Sequence, residues 1–105
     1  MKRKIKIKAN LKERALNALR NVIDPEIGAS ILDLGLIYDL KVEKDSVNVL
    51  MTLTSISCPL GNYMIAEVEN KLREAGFKNV VIKITFDPPW TLERMSKKLR
   101  KKLGI

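Results

Sequence analysis

Two alternating apolar runs with two residues between them constrain this chain most. Leu36, Tyr38, Leu40 and Val42 alternate with more polar neighbours, and Val47, Val49, Met51 and Leu53 alternate again after Lys44-Asp45. Successive side chains of a strand point to opposite faces, so each run carries one apolar face. The spacing predicts strands over 36–43 and 46–54, joined as a hairpin whose turn lacks the favoured glycine. Val80, Ile82, Ile84 and Phe86 alternate as a third strand.

The apolar faces need cover, and three helical patterns supply it. Leu11, Ala15, Leu16, Leu19, Val22 and Ile23 recur at helical spacing, with Asn10 and Glu13 reading as an N-cap pair. Asp24-Pro25 closes that helix, because a residue before proline is pushed out of the α region. A loop follows, with Gly28 and Gly35 as turn points. Leu60, Met64, Ile65, Val68, Leu72 and Ala75 share a second helical face, and Gly76 sits where a left-handed C-cap belongs. After the break "DPPW", Thr91 reads as the cap of a last helix carrying Leu92, Met95, Leu99 and Leu103 on one face. Trp90 is placed to staple onto Met95. The order is α-β-β-α-β-α. It predicts an α+β two-layer sandwich, a three-stranded sheet with helices on one face. If the second and third strands are parallel, the helical crossover between them should be right-handed.

The length of 105 residues fits one core. The expected division is a basic N-terminal arm over 1–9 and a single domain over 10–105. The net charge of +8 is concentrated at the ends. Residues 1–8 hold five basic residues and 94–105 hold six, with no acid in either stretch, which leaves a net of −3 between 9 and 93. Such ends attract phosphate, anionic lipid or an acidic protein without reading a sequence, or they simply aid solubility. There is no apolar run long enough to span a membrane, and the N-terminus lacks the features of a secretory signal. Histidine is absent, which removes the usual general base and the commonest metal ligand.

The single cysteine, Cys58, lies in "TSISCPLGN" between the second strand and the second helix. One thiol makes no disulfide within its own chain, and the expected compartment is a reducing cytoplasm. Pro59 is favoured at the first position of a helix, which would make Cys58 the N-cap, facing free backbone N–H groups and the positive end of the helix dipole. That setting favours thiolate, a nucleophile and a soft metal ligand. A free cysteine is also often simply buried, and both readings stand. Without histidine, cysteine-protease chemistry fails on inventory. One cysteine cannot supply a closed zinc or cluster site, so a metal site would need a second subunit, a partner, small thiols or carboxylates.

Two further stretches are unusual. "DPEIGASILDLGLIYDL" sets Asp24, Glu26, Asp33 and Asp39 among apolar residues, and "FDPPW" sets Asp87 beside Pro88, Pro89 and Trp90. Asp24 reads equally as a turn residue, and Trp90 as a core or interface plug. Taken together, three motifs resemble the SufT/PaaD-type family of metal–sulfur cluster assembly proteins, whose domain also occurs in the eukaryotic cytosolic iron–sulfur targeting factor. They are Asp24–Leu40, "TLTSISCPLG" (Thr52–Gly61) and "DPPWTLERMS" (Asp87–Ser96), and with the order of elements they cover residues 10–103.

The resemblance implies iron–sulfur cluster assembly or delivery rather than an enzyme reaction. It places the functional thiol at Cys58, which would hold metal only transiently. The surrounding pocket and loop would be Asp24, Pro25, Asp33, Thr54, Asp87, Pro88, Pro89 and Trp90. No tightly bound cofactor is expected, only transient iron or an iron–sulfur cluster. Assembly proteins and apo-clients are the expected partners, with a homodimer as one way to complete the ligand set and no role for a membrane. Two rival readings are an adaptor that recruits clients with an inert Cys58 and a small basic nucleic-acid-binding module. The second is weakened by the acidic middle, the missing G-x-x-G clamp and the lack of paired strand aromatics.

Overall fold

Alternation along Ser46–Met51 puts Val47, Val49 and Met51 on the buried side and leaves Asn48 exposed. This is strand β4 of a computed structural model that describes residues 2–54 and 61–105, with side chains from Asn10 onward. Strand β4 is the centre of a three-stranded sheet ordered β3-β4-β5, with β3 spanning Ile37–Val42 and β5 spanning Asn79–Ile84. Strand β3 pairs antiparallel with β4, as the short hairpin requires. Strand β5 pairs parallel with β4, from Ser46↔Asn79 to Met51↔Ile84. Asp45 ties the hairpin turn to the start of β5, its carbonyl accepting from the N–H groups of Lys78 at 2.9 Å and Asn79 at 3.0 Å.

The helices cover the inward face. Helix α1 (Lys2–Arg20) buries Leu11, Ala15, Ala18 and Leu19, and α2 (Gly61–Glu74) buries Gly61, Met64, Val68 and Leu72. Both sets follow the three- and four-residue spacing of one helical face. They join Val47, Val49, Met51 and Phe77 in a single core, while Asp39, Lys41, Asn48, Val81 and Lys83 stay exposed on other parts of the sheet. The architecture is therefore the expected α+β two-layer arrangement.

The end of α2 follows its glycine. Gly76 adopts φ +107°, its N–H donates to the Arg73 carbonyl at 3.0 Å, and the Phe77 N–H donates to the Leu72 carbonyl at 3.2 Å. This is a Schellman closure, with Phe77 and Leu72 both buried as its apolar pair.

Four local expectations are corrected. Helix α1 starts at Lys2, so Asn10 lies within the helix instead of capping it. The lysines and arginine that precede it are good helix formers and carry the helix through. Helix α1 ends at Arg20, short of the expected close at Asp24-Pro25, because Ile23 pairs with Ser30 instead of continuing the helical face, and the segment after it is more ordered than a plain loop. Ile23–Asp24 (β1) and Ala29–Ser30 (β2) form an antiparallel ribbon, because Asp24 closes the turn between them. Thr91 makes no side-chain cap. It precedes a 3-10 turn at Leu92–Arg94, and Ser96 caps α3 (Lys97–Leu103), its Oγ accepting from the Leu99 N–H at 3.1 Å. The expected apolar face is split as a result. Met95 and Leu99 are buried, whereas Leu92 and Leu103 are exposed.

Gly35 shows why the chain needs a glycine in the β2–β3 connection. It adopts φ +74°, and a Cβ placed there would come 2.1 Å from the Arg94 carbonyl oxygen. Gly28 has a similar φ of +76° but nothing within 4 Å of such a Cβ. Gly35→Ala should therefore lose roughly 2–4 kcal/mol, combining backbone strain with overpacking, and Gly28→Ala only about 1 kcal/mol. Urea unfolding of the two variants checks this, and equal losses would contradict it.

Candidate functional site

Parallel pairing makes β4 and β5 finish at the same end of the sheet, with Met51 beside Ile84. Antiparallel β3 begins at that end, with Ile37 opposite Met51. Three exits therefore meet there: Leu36–Tyr38 into β3, Thr52–Thr54 out of β4, and Thr85–Trp90 out of β5. Backbone hydrogen bonds bind them, the Thr52 N–H donating to the Leu36 carbonyl at 2.8 Å and the Thr85 N–H to the Met51 carbonyl at 2.9 Å. Thr52 is buried and Thr54 half-buried.

The Asp87–Trp90 loop is fastened across this end. Thr85 Oγ1 donates to the Asp87 carbonyl and accepts from the Asp87 N–H, both at 3.2 Å, and the Asp87–Pro88 peptide bond is cis. Trp90 Nε1 donates to the Leu34 carbonyl at 2.7 Å. Tyr38 Oη donates to the Pro88 carbonyl at 2.9 Å. A β-bulge between Ile37 and Asp39 sets Tyr38 at this place, by adding one residue to β3 against β4. The Arg94 guanidinium lies over the Tyr38 ring, 4.5 Å from its centroid. Together Tyr38, Arg94, Asp87, Pro88 and Gly35 line a cleft of about 510 Å³. Asp87, Pro88 and Pro89 are exposed and Trp90 is half-buried, so the loop offers a rigid rim rather than a closed chamber.

The residues expected to share one pocket fall into two places. Asp24 is buried, and its Oδ1 accepts from the Glu26 N–H at 2.8 Å, a turn closure in which Pro25 lies exposed. Asp33 is exposed and lines a different cleft, facing α3. Only its backbone takes part in the strapping near the loop, its carbonyl accepting from the Ser96 N–H at 2.7 Å. Cys58, and with it the expected cap of α2, lies outside the described residues. Among the described residues, no group of three or more His, Cys, Asp or Glu is placed to hold a metal, and no helix is long and apolar enough to cross a membrane.

The family model described as "Iron-sulfur cluster assembly protein" matches residues 12–86. The chain belongs to this iron–sulfur cluster assembly family. It is 40% identical over 97 residues to the Fe-S protein maturation auxiliary factor YitW of Bacillus subtilis, covering 90% of this chain and 95% of that one. It is 41% identical over 86 residues to the Fe-S protein maturation auxiliary factor SufT of Staphylococcus aureus, covering 80% and 98%. The crystal structure of a domain of unknown function from Bacillus anthracis shares the fold, with a TM-score of 0.83 at 33% identity, covering 93% of this chain and 94% of that one.

Within this member of the assembly family, Tyr38, Leu34 and Arg94 are site residues that the sequence did not single out for this role. Tyr38 was legible as a strand aromatic, but a one-residue bulge leaves no mark in an alternating pattern. A tryptophan donor and a backbone acceptor 56 residues apart leave no mark either. Trp90→Phe should cost about 1–3 kcal/mol by leaving the carbonyl of the buried Leu34 unpaired. Tyr38→Phe, at a more exposed bond, should cost about 1 kcal/mol or less. Thermal unfolding of both variants checks the order, and a reversed order would contradict it.

Proposed function

We propose that this protein assembles or delivers iron–sulfur clusters, acting as an auxiliary factor without enzymatic turnover of its own. The observation that carries the proposal is the match to the assembly family over residues 12–86, with relatives named as Fe-S protein maturation factors. Cluster or iron is cargo here. Cys58 is the thiol that handles it, standing between the Thr54 exit of β4 and the Gly61 start of α2 in the sequence.

The proposed chemistry is ligand exchange. The Cys58 thiol gives its proton to water, and the thiolate lends an electron pair to a cargo iron as another ligand leaves. A thiolate of the client later replaces Cys58 in the same way, and no oxidation state changes. A thiolate is a soft ligand, and soft sulfur suits the metal. One thiolate leaves the remaining positions for a partner, a second copy of the chain or small thiols. The Asp87–Trp90 loop, leaving the same end of the sheet as the segment that leads to Cys58, forms the rim against which cargo and client are positioned.

Anaerobic transfer of iron and sulfide to an apo-ferredoxin, followed by visible absorption, tests this. Cys58→Ala should slow transfer roughly tenfold or more without changing the unfolding midpoint. Transfer at the wild-type rate would remove Cys58 from the mechanism.

A further inference from the structure

The Asp24–Gly28 turn plays no part in the site just described, yet it is firmly built. Asp24 is buried in holding it, and it carries Ile27 into a cleft of about 310 Å³ against α3. Apolar walls come from both sides, Ile23 and Ile27 from the ribbon and Leu99 and Leu103 from the helix. Ile23 is 43% exposed and Leu103 44%, so this apolar surface meets water. The rim is cationic. Lys98 and Lys102 stand one helical turn apart on the cleft, and Asp33 is the single acid lining it. Lys97, Arg100 and Lys101 share the seven-residue helix, which has no acidic side chain. Among the described residues, no salt bridge involves α3, since the two observed lie on α2.

We propose that this cleft docks an acidic protein segment that carries apolar side chains, supplied by an assembly partner or client. The apolar walls gain only from apolar side chains. The lysines gain from carboxylates and steer them in. A polynucleotide would satisfy the lysines and leave the isoleucines and leucines unused. An anionic membrane takes up protruding apolar side chains, whereas these four line a concave cleft. The proposal rests on the assembly reading for its choice of partner. It assigns recognition to a cleft that shares no lining residue with the one beside the Asp87–Trp90 loop, so cargo handling and docking can fail independently.

The test is fluorescence anisotropy with a short fluorescein-labelled peptide of glutamates and leucines, using the full chain. Two control peptides replace either the leucines by serine or the glutamates by glutamine. The leucine–glutamate peptide should bind best, and both Ile23→Ser and the pair Lys98→Glu/Lys102→Glu should weaken it by about tenfold. Cys58→Ala should leave peptide binding unchanged while impairing transfer. Circular dichroism confirms that each variant is folded. No binding, equal binding of the serine peptide, or binding unaffected by these substitutions would overturn the proposal. So would tighter binding of single-stranded RNA or anionic vesicles lost through the same substitutions. Impaired transfer by Cys58→Ala without peptide binding would leave the assembly reading standing and sink only the docking one.

Discussion

Everything at the candidate site follows from the parallel pairing of β4 with β5. A hairpin alone would have sent successive exits to opposite ends of the sheet. The crossover through α2 instead returns the chain to run beside β4 in the same direction, from Ser46↔Asn79 to Met51↔Ile84. The segment leading to Cys58 and the segment leading to Asp87 therefore leave side by side. Three different ingredients, the Thr52–Thr54 exit of β4, a proline-stiffened loop and the bulged start of β3, meet at one end of the sheet because of that register.

A second layer of contacts turns this proximity into a fixed shape. Residues 33–38 and 88–96 are laced together by the Trp90 indole on the Leu34 carbonyl, the Tyr38 hydroxyl on the Pro88 carbonyl and the Ser96 N–H on the Asp33 carbonyl. Gly35 lets the Arg94 backbone approach closely enough for this to happen. The same lacing fixes where α3 starts, and through it the position of the Lys98 and Lys102 rim. One strap thus organises both the loop beside the proposed thiol site and the cleft on the side of the ribbon. Asp24 and Asp33 divide between these regions by geometry. Asp24 serves its own turn, and Asp33 lends its carbonyl to the strap while its exposed side chain lines the cleft.

Features governed by short-range physics were legible from the residues. The alternation in β3, β4 and β5, the buried faces of α1 and α2, and the left-handed glycine after α2 all depend on neighbours a few positions apart. Helix boundaries were less legible where two local rules competed. Asn10 has the chemistry of a cap, but good helix formers precede it and the helix runs on. Thr91 has the chemistry of a cap too, yet the approach of Gly35 to Arg94 and the bond from Ser96 to Asp33 place the start at Lys97. The ribbon of β1 and β2 was invisible because two-residue strands carry no period. At the site, the Asp87–Trp90 loop could be singled out from its prolines and tryptophan. Its anchors, Leu34 and Tyr38, lie about fifty residues earlier and are joined to it only by the tertiary register. The likeness to the assembly family supplied what no local rule contains, namely the link from a solitary thiol to iron–sulfur cluster assembly.

Cys58 is the one cysteine, so a nitroxide attached to it reports its surroundings without any other substitution. Paramagnetic broadening of backbone amide signals then tests directly whether the thiol and the Asp87–Trp90 loop form one site. The account predicts strong broadening at Thr54, Thr85, Phe86, Asp87 and Tyr38, with Asp45 and Asn79 spared at the far end of the six-residue strands, roughly 20 Å away. Sharp, unaffected signals from Thr85 to Asp87 would contradict it.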